Sequence, residues 1–139
     1  GRLPIQDNID VISVGTSFLR FLEIADKLEK HVYVVTDNDG DHAKVLEKYK
    51  PIKNITLCVD SDECLNTLEP QIVRANSDNL DLLRRILDIT AGSYPDEDAI
   101  RIYMENNKTE SALKLFETDL YFKFPDYILK AVGAKDAKE

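Results

Sequence analysis

A buried-strand pattern that runs straight into a dense acidic turn constrains this chain more than any other feature. Val32-Tyr33-Val34-Val35-Thr36 is short, β-branched and aromatic, with helical patterns on both sides. Asp37-Asn38-Asp39-Gly40-Asp41 follows at once. In open α/β sheets, sites form outside the carboxyl ends of the strands. Carboxylate oxygens suit hard divalent cations such as Mg²⁺, Mn²⁺ or Ca²⁺. The pattern predicts a metal-binding acidic pair at the mouth of a parallel sheet.

Asp, Asn and Gly are also ordinary turn residues, and a strand-to-helix turn accepts all of them. Density favours the functional alternative. Three carboxylates within five residues repel one another, and a cation relieves that repulsion. An EF-hand does not fit. Asp37, Asp39 and Asp41 match its first three ligands, but the required glycine falls on His42 and the closing glutamate on Lys48.

Around this element the chain alternates. Val11-Ile12-Ser13-Val14 reads as a strand ended by Gly15, and Ser17 as the N-cap of a helix. Phe18, Phe21, Leu22, Ala25 and Leu28 recur at three- and four-residue steps and give that helix one apolar face. Ala43 to Tyr49 is helical, with Pro51 blocking its continuation, and Ile55 to Val59 is a third strand. Strand, helix, strand, helix, strand predicts a parallel sheet. After Pro70 the pattern is helical almost to the end: Leu80, Leu83, Ile86 and Leu87 share a face, Asp96 opens a helix through Met104, and Pro125 starts one through Val132. Asn107 is placed to cap another helix, with Glu110 at the capping-box position. The fold class expected is α/β: a short parallel sheet flanked by helices, with a helical C-terminal half.

The length of 139 residues suits one compact domain. No apolar run approaches the length of a membrane span, and no signal-peptide pattern is present. Cys58 and Cys64 form no CxxC pair or Cys/His cluster, so a structural zinc site is not expected and a reducing cytoplasm is the simplest compartment. With only His31 and His42, a triad hydrolase is not expected. The net charge of −8 argues against a broad nucleic-acid surface, though bound cations or partner domains could still meet phosphate. The start at Gly1 without an initiator methionine suggests a piece of a larger protein.

Two later positions stand out. Glu69 has no amphipathic reason for its place: it is either a carboxylate favoured by a helix N-terminus, with Pro70 at the first helical position, or a further ligand for the cation. Lys108 would lie in the first turn of the helix capped by Asn107, where a cation opposes the helix dipole. It is either a solvated lysine or a cation held toward a phosphate or a leaving-group oxygen.

Val11 to Gly15, Ser17-Phe18 with Phe21-Leu22, Val34-Val35-Thr36-Asp37-Asn38-Asp39-Gly40-Asp41, Thr67-Leu68-Glu69-Pro70 and Asn107-Lys108-Thr109-Glu110-Ser111-Ala112-Leu113 together resemble the Toprim domain of OLD-family (overcoming lysogenization defect) ATP-dependent endonucleases. The resemblance runs from about residue 9 to residue 132. It implies a nuclease module that cuts or nicks DNA with two divalent metals, Mg²⁺ or Mn²⁺. The module would follow an N-terminal ABC-type ATPase domain in the same chain, which is where ATP would act, and homo-oligomerisation through the full-length protein stays open. Residue by residue, it assigns Asp37, Asp39 and Glu69 as metal ligands, with Asp41 a further candidate. Thr67, the small hydroxyl residue beside Glu69, is assigned to the same metal site, and Lys108 is the catalytic lysine that stabilises the transition state. Residues 1–133 would be the Toprim domain and 134–139 a frayed charged tail.

One element of the family pattern is missing. Toprim domains begin with a strand ending in a V-E-G-like glutamate, and nothing here matches it; no phosphate-binding loop is present either. The expectation is an N-terminally truncated domain with little activity alone. Two alternatives remain. A haloacid-dehalogenase-like phosphatase also puts D-x-D after a strand, but it needs threonine or valine where Asp41 stands and wants that strand first in the sheet. The other is a non-catalytic acidic interaction domain.

Overall fold

In a computed structural model describing residues 9–133, the chain divides into two compact units. One is Leu65–Pro125; the other combines described residues 9–64 with 126–133.

The second of these units holds the sheet. β1 (Val32–Val35) and β2 (Ile55–Cys58) pair in parallel, with Val32 opposite Ile55 and Val35 opposite Cys58. The ladder extends at each end through Val32 N–H to Asn54 O at 3.0 Å and Thr36 N–H to Cys58 O at 3.2 Å. Two strands alone are marginal in water, so the helices must cover them. α1 (Phe18–Lys27) and α2 (His42–Tyr49) bury Leu22, Val45 and Tyr49 against Val32, Val34, Ile55 and Leu57. These strand residues share one face because side chains alternate along a strand. A short α7 (Asp126–Ala131) packs against both strands.

The expected first strand does not form. Val11-Ile12-Ser13-Val14 has no ladder partner among the described residues, and Val11 and Ile12 are 77% and 59% exposed. β propensity supplies no stability until a neighbouring strand accepts the hydrogen bonds. The chain instead enters α1 through a 3₁₀ turn at Gly15–Ser17, where Ser17 N–H reaches Val14 O at 3.0 Å. Ser17 holds the N-cap position, but its side chain makes no cap bond.

The helical unit contains α3 (Leu68–Ala75), α4 (Leu80–Leu87), α5 (Glu97–Asn106) and α6 (Lys108–Glu117). Ile72 and Val73, Leu83 and Leu87, and Ile100 and Met104 form its core. The expected spacing in α4 holds, and Asp96 caps α5 by accepting from Ala99 N–H at 2.9 Å. Polar side chains close the loops. The Arg84 guanidinium donates to Tyr94 O, Pro95 O and Asp81 Oδ1 at 2.6–2.8 Å. Lys114 Nζ donates to Leu87 O at the end of α4 at 2.7 Å. Pro70 is the third residue of α3, not the first.

Asn76 ends α3 with a buried carboxamide. Its Nδ2 donates to Ile72 O and Lys123 O, each at 2.8 Å, and its Oδ1 accepts from Lys123 N–H at 2.7 Å. Removing it strands the Lys123 backbone groups. Asn76→Ala is expected to lower unfolding free energy by about 2–4 kcal/mol, from an unsatisfied-group cost of roughly 1–3 kcal/mol each. Urea denaturation measures this, and a loss under about 0.5 kcal/mol, the range of an ordinary surface change, would contradict it.

Candidate functional site

Asp37 to Asp41 lie in the sheet-bearing unit, directly after β1, as the strand pattern predicts. The turn divides its labour. Asn38 is fully buried; its Oδ1 accepts from Gly40 N–H at 2.8 Å, and its Nδ2 donates to Asp60 O at 3.0 Å and Asp62 O at 2.9 Å. Asp60 and Asp62 follow β2, so this one carboxamide joins the loops at the carboxyl ends of both strands. Asp41 closes the turn through its N–H to Asn38 O at 2.9 Å, and its Oδ1 caps α2 by accepting from Lys44 N–H at 2.9 Å. Asp41 thus has a structural duty that explains it without a metal.

Asp39 differs. It is exposed and takes a left-handed φ of 52°, followed by Gly40 at 78°. Aspartate tolerates this region better than most residues. No hydrogen bond engages the Asp39 carboxylate among the described residues. Asp37 is half-buried, and with Asp60 it faces Tyr127 of α7. Burial first, then the negative charges of Asp37 and Asp60, push the Tyr127 phenol up to about 12.

The loop after β2 adds acidic groups that the spacing argument did not single out. Asp60 Oδ1 accepts from Asp62 N–H at 2.9 Å and Asp62 Oδ1 from Cys64 N–H at 3.0 Å. Glu63 Oε1 accepts from His42 N–H at 3.0 Å. Each therefore has an oxygen committed to a backbone donor. Asn38 was the other omission; the signal available was its place between two carboxylates at a strand end, where a neutral donor can hold a turn that a third acid could not. His31 is bound to Thr56 Oγ1 at 2.8 Å and stands edge-on to Tyr33, a structural use.

Thr67, Glu69 and Lys108 belong to the helical unit. Thr67 occupies the N-cap position of α3 in an extended conformation, with no side-chain cap bond. Glu69 lies in the first turn of α3, where a carboxylate complements the dipole. Lys108 is the first residue of α6, where a cation costs about 0.3–1 kcal/mol if exposed. The two side chains pair, Lys108 Nζ lying 3.6 Å from Glu69 Oε1. The expected capping box is not formed. Asn107 turns its Nδ2 back to Tyr103 O at 2.9 Å, and Glu110 pairs with Lys114 at 2.8 Å. With the N-cap side chain pointed at α5, the start of α6 keeps uncapped donors beside Lys108.

The donor chemistry suits a hard cation, since every candidate ligand offers oxygen, and at Glu69 a cation already stands in as the Lys108 ammonium. No group of three His, Cys, Asp or Glu side chains closes into a metal cage among the described residues. A cation held here would keep several waters, as Mg²⁺ does when only one or two carboxylates reach it. Among the described residues no helix is long and apolar enough to cross a membrane. No family model, curated protein or solved structure matches this chain.

Two outcomes follow from this geometry. Asn38→Ala should cost about 2–4 kcal/mol in urea denaturation, since it strands two carbonyls and one N–H. Asn38→Asp should cost at least as much, because an oxygen replaces the donor facing those carbonyls; a stable Asn38→Asp would show that the carboxamide does not hold the loops. Second, the raised Tyr127 pKa has a definite sign. Its stabilisation is complete below the unfolded tyrosine value of about 10 and is lost as pH rises to the folded value of about 12. Burial also raises the Tyr49 phenol, so phenolate absorbance should show late-titrating tyrosine signal of which the Tyr127 part disappears in Tyr127→Phe, and the alkaline loss of stability should shrink with it.

Proposed function

We propose that this chain is the nuclease module of a metal-dependent, OLD-type Toprim endonuclease that hydrolyses DNA phosphodiesters. The observation that supports it best is the turn after β1: Asn38 and Asp41 build the turn, while the Asp39 carboxylate stands exposed beyond it. Asp37 and Asp39 would hold a divalent cation at the end of β1, and Glu69, with Thr67 beside it, would hold one at the start of α3. Bound cations would supply Lewis-acid activation and neutralise the phosphate. Lys108 offsets negative charge that develops on a leaving oxygen. DNA is the substrate and a partner ATPase domain the source of nucleotide dependence. The acidic chain, at −8, would meet the backbone only through cations or through a basic partner.

The phosphatase alternative gains one observation. The strand leading into the acidic turn is the first strand among the described residues, as that fold requires. It still lacks the small side chain at position 41, where Asp41 is committed to capping α2.

Calorimetry with Mn²⁺ tests the metal assignment. The chain should bind Mn²⁺ weakly, and Asp37→Asn should remove the ion held at the end of β1 with the fold retained. Equal affinity in the variant would remove Asp37 as a ligand. Plasmid nicking by the chain joined to its ATPase domain, against hydrolysis of an aryl phosphate, separates the two enzyme classes.

A further inference from the structure

Glu69 and Lys108 come from different helices, and each is the other's charge partner among the described residues. The two are unequally placed. The Glu69 side chain is only 15% exposed, whereas that of Lys108 is 59% exposed. The carboxylate is the recessed member of the pair and the ammonium is its solvent-side cover. The contact is also loose. At 3.6 Å it exceeds the 2.8 Å of Lys114 to Glu110 and the 2.6 Å of Lys123 to Asp78. A closed charge-assisted N–H···O bond is about 2.7–2.9 Å.

The helix termini make this arrangement one-sided. Glu69 is favoured where it stands, at the positive end of α3. Lys108 is disfavoured at the positive end of α6, and Glu69 is what offsets that position. A divalent cation seeks the same carboxylate oxygen with twice the charge of the ammonium.

We propose that Lys108 is a built-in counter-ion of Glu69 that a divalent cation displaces, so that metal binding at Glu69 releases the lysine for an anionic oxygen. The proposal rests on the metal assignment of Glu69 above. Released, Lys108 lies at the start of α6 beside N–H groups that no side chain caps. An anion such as a phosphate oxygen would satisfy both the ammonium and the helix terminus. Metal and anion would then each strengthen the other's binding, because linkage between two sites is reciprocal.

Mn²⁺ titration followed by electron paramagnetic resonance of the free ion tests the exchange without any activity measurement. The 139-residue protein is compared with Lys108→Met, Lys108→Arg, Glu69→Gln, the Lys108→Met/Glu69→Gln double variant and Asp37→Asn. Losing the competing ammonium should tighten Mn²⁺ binding about two- to fivefold in Lys108→Met, the range expected for one partly exposed ion pair. Lys108→Arg, which keeps the cation, should stay near the parent. The double variant should match Glu69→Gln, with the gain abolished. Unchanged or weaker binding in Lys108→Met, or a gain that survives in the double variant, overturns the exchange. If Glu69→Gln loses Mn²⁺ while Lys108→Met is unchanged, the exchange falls and the metal assignment of Glu69 stands. If no form binds Mn²⁺, both fall.

Discussion

The buried Asn38 carboxamide is the interaction on which the acidic end of the sheet depends. Two parallel strands that end side by side bring their following loops together, and here both loops are acidic. Like charges would drive them apart. A neutral side chain that donates to Asp60 O and Asp62 O while accepting from Gly40 N–H ties them without adding charge. Burial makes each of these bonds matter more, because an unpaired donor or acceptor there has no water to turn to. Asp41, Asp60, Asp62 and Glu63 each commit one side-chain oxygen to a backbone donor, while the Asp39 carboxylate stands exposed.

Much of this was legible in the sequence, for local reasons. β1, β2 and α2 follow from short β-branched runs, an acidic turn and Pro51, and α4 and α5 follow from apolar spacing and the Asp96 cap. Each signal is contained within a few residues. What failed needed knowledge of a distant partner. Val11 to Val14 has strand composition, but pairing decides a strand and composition does not. Asn107 has capping chemistry, yet its amide found Tyr103 O behind it before the N–H groups ahead of it. Asn38 was hidden for the same reason: its partners follow the other strand.

Candidate site residues divide along the same line. The ordinary use of Asp41 as a cap was readable from its place just before a helix, and the structure adds the bond to Lys44 N–H. The pairing of Glu69 with Lys108 was not readable, because it joins the starts of two helices separated by two others. Either residue alone has a bland explanation at a helix terminus. Together they make a carboxylate with its own lysine beside it, which on the proposed exchange gives way to a metal.

That pairing bears on how an acidic protein could act on an acidic polymer. With a net charge of −8, the long-range field repels DNA, and the repulsion weakens with salt. On the proposed function, short-range attraction would come from a few positive centres placed where a phosphate arrives. A lysine held permanently against a glutamate contributes little, since its charge is already cancelled. A lysine set loose only when a divalent cation takes its place changes the local charge by the full charge of the cation. Positive charge would then appear at the start of α6 only when metal is bound, and an idle, metal-free chain would offer little there to an anion.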